Sequence, residues 1–218
     1  MYFVVQKVAT TSIKTAIAPL FATGAAERNP CEVSHTESGQ TYQRSRGGIH
    51  KLFPDLGYQI GKDDFLASMD KYETFFKFAF VRNPWSRLVS CYSDKFVGKA
   101  RGLRAFRGGP MIPKGLPFAE FVDVVCSIPD EKANLHFASQ HQTLCDPNGK
   151  VLPDFVGRFE NLGEDFRHVA EKISVPDLDL LHMHRSGSKS WREYYDKDLE
   201  NLVRERYIRD IELFDYSF

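Results

Sequence analysis

Long apolar runs are missing from this chain of 218 residues. The candidate runs, Phe3–Val5 and Phe78–Val81, are strand-sized, far short of the roughly 18 residues that span a bilayer. The opening residues, MYFVVQK, have no basic region followed by a long apolar stretch, so no signal peptide is read there. Cysteine is sparse. Cys31, Cys91, Cys126 and Cys145 form no CxxC pair and no paired Cys/His spacing, which argues against a structural zinc site and demands no oxidising compartment. The two common phosphate-loop signatures, GxxxxGK[ST] and GxGxxG, are both absent. Net charge is absent too: 29 Lys+Arg balance 29 Asp+Glu, which argues against a generic nucleic-acid coat.

What is present begins with core material. Hydrophobic residues make up 42% of the chain, with 18 Phe, enough to bury a core and to argue against intrinsic disorder. At roughly 150 residues per domain, the length fits a single domain over residues 1–218. The charges that cancel overall are unevenly placed. From Lys77 to Lys114 nine Lys/Arg face one acid, Asp94, whereas from Glu193 to Asp215 eight acids face four basic residues. A charge run by itself reads as a solvated face, but a basic middle in a neutral chain also fits a local anion site.

The pattern along the chain alternates strands and helices. Tyr2–Gln6 is a β-rich apolar run, followed by a small-residue loop and a helical stretch over Ile13–Leu20. Residues 22–48 read as a long loop rich in Gly, Ser, Thr, Asn and Arg. Asp63–Tyr72 has helical spacing, and Phe76–Val81 is a buried-strand candidate broken by Arg82-Asn83-Pro84. A helix then starts near Trp85, with Pro84 in its first turn, where a missing N–H costs nothing. Further helices are expected over Phe118–Cys126, Asn161–Ile173 and Asp196–Ile211, and a third strand over Phe155–Phe159. This order argues for an α/β domain with a mainly parallel sheet.

Two segments carry anion chemistry. Lys7-Val8-Ala9-Thr10-Thr11-Ser12 leaves a strand, turns on small and hydroxyl residues and opens a helix, a geometry in which N–H groups and hydroxyls can surround a phosphate. Arg82 leaves the second strand at its carboxyl end, and Ser90 follows eight residues later, about two helical turns along. Singly, each has a plain explanation as a capped turn, a surface charge or a packing serine. Together they describe a ligand with two separate phosphate-like groups.

The first segment resembles the 5′-phosphosulfate loop of sulfotransferases. Phe78-Ala79-Phe80-Val81-Arg82-Asn83-Pro84-Trp85-Ser86-Arg87-Leu88-Val89-Ser90 resembles their 3′-phosphate element. The resemblance is to the carbohydrate-type sulfotransferases of family 2, which include chondroitin and heparan O-sulfotransferases. It extends in order through Asn134–His141, Asp154–Leu162 and the closing Tyr207, Asp210, Leu213 and Phe214. It implies a P-loop-like sulfotransferase fold with a mainly parallel central sheet flanked by helices. It also implies a donor, 3′-phosphoadenosine 5′-phosphosulfate (PAPS), and a product, adenosine 3′,5′-bisphosphate (PAP). Lys7, Val8, Ala9, Thr10, Thr11 and Ser12 would surround the 5′ end, and Arg82 and Ser90 the 3′-phosphate. The segment Arg185–Trp191, with Arg185, Lys189 and Trp191, is similar to the loop that closes over the nucleotide.

Sulfuryl transfer to a hydroxyl is an in-line displacement at sulfur. Its transition state asks for an oriented acceptor, a base for the acceptor's proton and a cation at the departing oxygen. Lys7 is the expected cation, and no metal is required. His50, in Gly47-Gly48-Ile49-His50-Lys51, is the first candidate base and His136 the second; His35, His141, Glu73 and Glu160 are rivals. Glu160 is expected to be structural, pairing with a cation or capping the helix from Asn161. Arg101, Arg104 and Arg107, in the basic loop, are the candidate acceptor contacts, for a carbohydrate or another small hydroxyl compound. A cytoplasmic enzyme is expected, the alternative being a Golgi-lumenal domain without its anchor. A non-catalytic nucleotide or anionic-glycan binding module stands as the second class, and a phosphate-binding NTPase or kinase as the third.

Overall fold

The computed structural model describes residues 1–17, 20, 33–35, 41–43, 62–98, 102–178, 180 and 190–218. The chain divides into two compact units. The first comprises residues 1–8, 76–165 and 185–218, the second residues 9–75 and 166–184.

The first unit is built on a parallel sheet of three strands: β1 (Tyr2–Phe3), β4 (Phe78–Val81) and β5 (Phe155–Arg158), with β4 in the centre. Tyr2 pairs with Phe78 on one side, and Phe78 through Val81 pair with Phe155 through Arg158 on the other. All four residues of β4 are buried, which is why the strand reads as an unbroken apolar run rather than an alternating one. Gly157 in β5 is required by this packing, because a Cβ there would lie 2.5 Å from the Phe80 ring. Parallel neighbours need crossovers, and the one from β4 to β5 spans residues 82–154.

Its first element is helix α3 (Pro84–Lys95), which follows β4 after two residues. Asn83 caps it by accepting from the Ser86 N–H at 3.3 Å, and Pro84 occupies the first turn as expected. Trp85, Leu88 and Phe96 bury their side chains against Phe121 and Val125 of α4 (Phe118–Ser127), Phe137, Val203 and Ile211. The C-terminal helix expected over Asp196–Ile211 is two helices, α7 (Lys197–Arg206) and α8 (Ile208–Leu213), parted at Tyr207. The break serves two buried anchors. The Tyr207 hydroxyl donates to the Phe137 carbonyl at 2.5 Å, and Asp210 accepts from the N–H groups of Gln140 and His141, where the short helix α5 (His141–Leu144) begins.

The second unit contains α1 (Thr10–Ile17), an antiparallel pair of short strands, β2 (Val33–His35) and β3 (Thr41–Gln43), and α2 (Lys62–Leu66). The helix expected over Asp63–Tyr72 is interrupted: α2 stops at Leu66, and a separate 3-10 turn spans Met69–Tyr72. The Phe65 and Tyr72 rings still meet, at 5.7 Å. Helix α6 (Leu162–Lys172) follows β5 and buries Phe166, Val169 and Ala170.

Candidate active site

Two polar regions of the first unit flank the carboxyl end of β4. The first surrounds Arg82. A cavity of about 350 Å³ is lined by Arg82, Asn83, Ser86, Phe159, Glu160, Trp191 and Arg192. The main chain of Arg82 is fixed on both sides by the wholly buried Gln140, whose amide accepts from the Arg82 N–H and donates to its carbonyl, each at 2.9 Å. Its side chain donates from Nε to Ser86 Oγ at 2.8 Å and from Nη1 to the Lys7 carbonyl at 3.3 Å, with the guanidinium 4.0 Å from the Phe159 ring centroid. Burial lowers its pKa to about 10, with Glu160 pulling the other way, so it is a cation throughout the physiological range.

Two amides at the start of α3 are already engaged. Asn83 N–H donates to Glu160 Oε1 at 2.8 Å, and Ser86 N–H to the Asn83 side chain. An anion entering the cavity therefore meets side-chain donors: Arg82, Ser86 and Arg192. Glu160 is structural, as expected, but the helix it caps is α3 rather than the one after Asn161; its second oxygen accepts from Tyr216. The far wall is aromatic. Arg192 lies 4.2 Å over the Trp191 ring, and Trp191 packs edge-on against Phe218 at 5.2 Å. Ser90, one turn beyond Ser86 on α3, is half-buried and does not line the cavity. Ser86 and Arg192 were not singled out by sequence. Ser86 had a signal, since a residue four after Arg82 sits one turn above it; Arg192 had none.

The second region surrounds Lys7. Lys7 and Ala9 both have left-handed backbone, with φ of 70° and 60°, a conformation that costs residues with a Cβ on the order of 1–2 kcal/mol each. Lys7 Nζ is 2.8 Å from Asp94 Oδ2, and Lys95 is 3.0 Å from the same carboxylate. Burial alone would raise the Asp94 carboxyl, but its bonds to Lys7 and Lys95 outweigh that and hold it near 2. His136 belongs to the same neighbourhood. Burial, followed by the charges of Lys95, Lys7 and Arg87, pushes its imidazole down to about 4, so it is neutral at pH 7. Its Nδ1 lies 2.8 Å from Asn134 Oδ1. The amide oxygen can only accept, so Nδ1 carries the proton and Nε2 the lone pair.

Arg87 stands between the two histidine-flanking carbonyls and the Lys7 turn. It donates from Nε to the Gln6 carbonyl at 3.0 Å, from Nη1 to Ala138 at 2.8 Å and from Nη2 to Leu135 at 3.0 Å. The loop bearing Arg104 and Arg107 is pinned to the same segment: Asn134 N–H donates to the Ala105 carbonyl at 2.9 Å, and Phe106 bridges Ala133. Both arginines are exposed, and Arg104 Nη1 donates to Gly109 within its own loop. Val8 is buried in the first unit, while Thr10, Thr11 and Ser12 form the first turn of α1 in the second. His50, Arg101, Arg185 and Lys189 lie outside the described residues. Among the described residues no cluster of His, Cys, Asp and Glu could hold a metal ion, and no helix is long and apolar enough to cross a membrane.

Comparison with known proteins gives one family. The model described as "Sulfotransferase family" matches residues 1–217. Carbohydrate sulfotransferase 14 of Homo sapiens is 30% identical over 168 residues, covering 65% of this chain and 42% of that protein. Its Danio rerio counterpart is 29% identical over 165 residues, covering 65% and 44% respectively. Carbohydrate sulfotransferase 8 of Mus musculus is 29% identical over 171 residues, covering 66% of this chain and 40% of that one. The matched stretch is thus somewhat under half the length of these relatives. No solved structure matches the chain.

Proposed function

Because the chain belongs to the sulfotransferase family, we propose that it moves a sulfuryl group from PAPS to a hydroxyl of a carbohydrate acceptor. The observation that carries this reading is the setting of Arg82. Arg82 lines a cavity at the carboxyl end of a parallel strand together with Ser86 and an aromatic wall, and its guanidinium bonds the Ser86 hydroxyl and the main chain of Lys7. A nucleotide with a phosphate at one end and a sulfated phosphate at the other has use for each of these groups.

In this reading Arg82, Ser86 and Arg192 hold the 3′-phosphate, while Phe159 and Trp191 give the nucleobase an aromatic lining to pack on. Arg185 and Lys189 are assigned to the nucleotide by resemblance alone, whereas Ser90, matched by the same resemblance, lies outside the cavity. His136 Nε2, or His50, takes the proton of the acceptor hydroxyl. The acceptor oxygen then bonds to sulfur as the bond from sulfur to the bridging phosphate oxygen breaks. Lys7 leaves Asp94 to neutralise the charge on that departing oxygen, and PAP and the sulfated acceptor result. A cation so placed contributes several kcal/mol to the transition state. Arg104 and Arg107, on a loop pinned beside Asn134, suit an acceptor that carries acidic groups. The kinship with proteins named carbohydrate sulfotransferases supports a sugar as that acceptor.

Calorimetry with PAP tests the reading directly. Binding with one site per chain and a micromolar or tighter dissociation constant is expected; no heat at millimolar PAP, from protein shown to be folded by circular dichroism, overturns it.

A further inference from the structure

Arg87 lies within the segment that resembles a nucleotide-binding element, yet it lines no part of the cavity. It is 3% exposed, and each of its three nitrogens donates to a backbone carbonyl in an irregular segment. Those carbonyls are not scattered. Gln6 immediately precedes Lys7, and Leu135 and Ala138 bracket His136. A planar guanidinium can reach acceptors in several fixed directions at once, which an ammonium cannot. The Lys7 turn needs such an anchor, because its left-handed residues stay in place only where the surroundings hold them.

We infer that Arg87 is a positioning residue for the transfer step: one guanidinium ties the turn presenting Lys7 to the turn presenting His136, and so sets the spacing between the cation for the departing oxygen and the group that takes the proton. The inference rests on the roles given above to Lys7 and His136. It goes beyond them by making their alignment the property of a third residue that touches neither donor nor acceptor. Arg82, which also donates to the Lys7 carbonyl, shares the turn and holds Gln140 through its main chain, but its side-chain bonds go to Ser86 and Lys7 and not to the carbonyls beside His136.

The experiment compares Arg87→Lys and Arg87→Gln, alone and combined with Lys7→Ala, in the full chain. PAP calorimetry counts competent sites, and PAPS turnover to PAP is measured per site, with water and with desulfated chondroitin as acceptors. Arg87→Lys should lower turnover per site about 100-fold, the usual cost of a misplacement near 1 Å, while PAP affinity changes less than about threefold. On a Lys7→Ala background the same change should cost under about threefold, because the residue it positions is already gone. Unchanged turnover per site, or an equal loss on both backgrounds, overturns the inference. If neither Arg87 variant binds PAP, the residue serves folding alone, and the inference is again overturned. Failure of the wild-type chain to bind PAP would instead remove the functional reading itself, and wild-type binding without turnover would remove the pairing of Lys7 with His136.

Discussion

Arg82 and Arg87 stand on one strand-to-helix unit, five positions apart, and the molecule uses them in opposite ways. Around Arg82 a cavity is open, and among the described residues its side chain meets the Ser86 hydroxyl, the Lys7 carbonyl and the Phe159 ring. Around Arg87 there is no space, and every nitrogen is committed to main chain. An arginine whose tip faces a cavity can exchange a hydroxyl partner for a ligand anion at little cost. One that serves three carbonyls, that of Ala138 buried, cannot be removed without taking the donor from all three. The same residue type therefore lines a cavity in one place and clamps main chain in the other.

That division predicts that the two regions fail differently. Lys7→Ala should lower kcat about 100- to 1000-fold, as loss of one transition-state donor does, and leave PAP affinity within about threefold. Arg82→Ala should weaken PAP binding on the order of 10- to 100-fold, as expected for losing charge-assisted bonds to a phosphate. Steady-state kinetics and calorimetry on the same preparations check both, and the same pattern in both variants would break the division.

A pH profile sharpens the reacting region. His136 is pushed below its ordinary range to about 4, so its neutral, proton-accepting form persists down to that pH. If it is the base, kcat/KM should show no acid limb between about pH 5 and 8, since this ratio reports the free enzyme. A limb near 6.5, the ordinary histidine value, would assign the proton to another group such as His50.

The smallest effect sharpens the binding region. Ser86→Ala should weaken PAP binding by about 3- to 10-fold, one hydrogen bond's share, and Ser90→Ala by less than about twofold. The reverse order, read by calorimetry, would place the phosphate one turn farther along α3.

Legibility followed the range of the forces involved. The β4–α3 unit could be read because its determinants are local: a buried apolar run, Asn83 as cap and Pro84 in the first turn. Arg82 could be read for the same reason, as the charge that ends the strand. The parting of the last helix at Tyr207 could not, because its causes are Phe137, Gln140 and His141, far away in sequence. Neither could the roles of Ser86 against Ser90, which share a helical face. The open cavity beside one and not the other comes from Phe159 and Trp191, on separate elements. Glu160 was legible as structural, but its target depended on which helix start folded against it.

The sequence by itself determined the alternation of strands and helices and the family, and it marked the two segments proposed to bind anions, since these are carried by contiguous residue types and spacings. Only tertiary structure decided which donors are open and which are spent. Backbone carbonyls such as those of Gln6, Leu135 and Ala138 leave no mark in a sequence, yet they are what turns Arg87 into a clamp. Burial among cations likewise makes His136 neutral, a property of its surroundings rather than of the histidine.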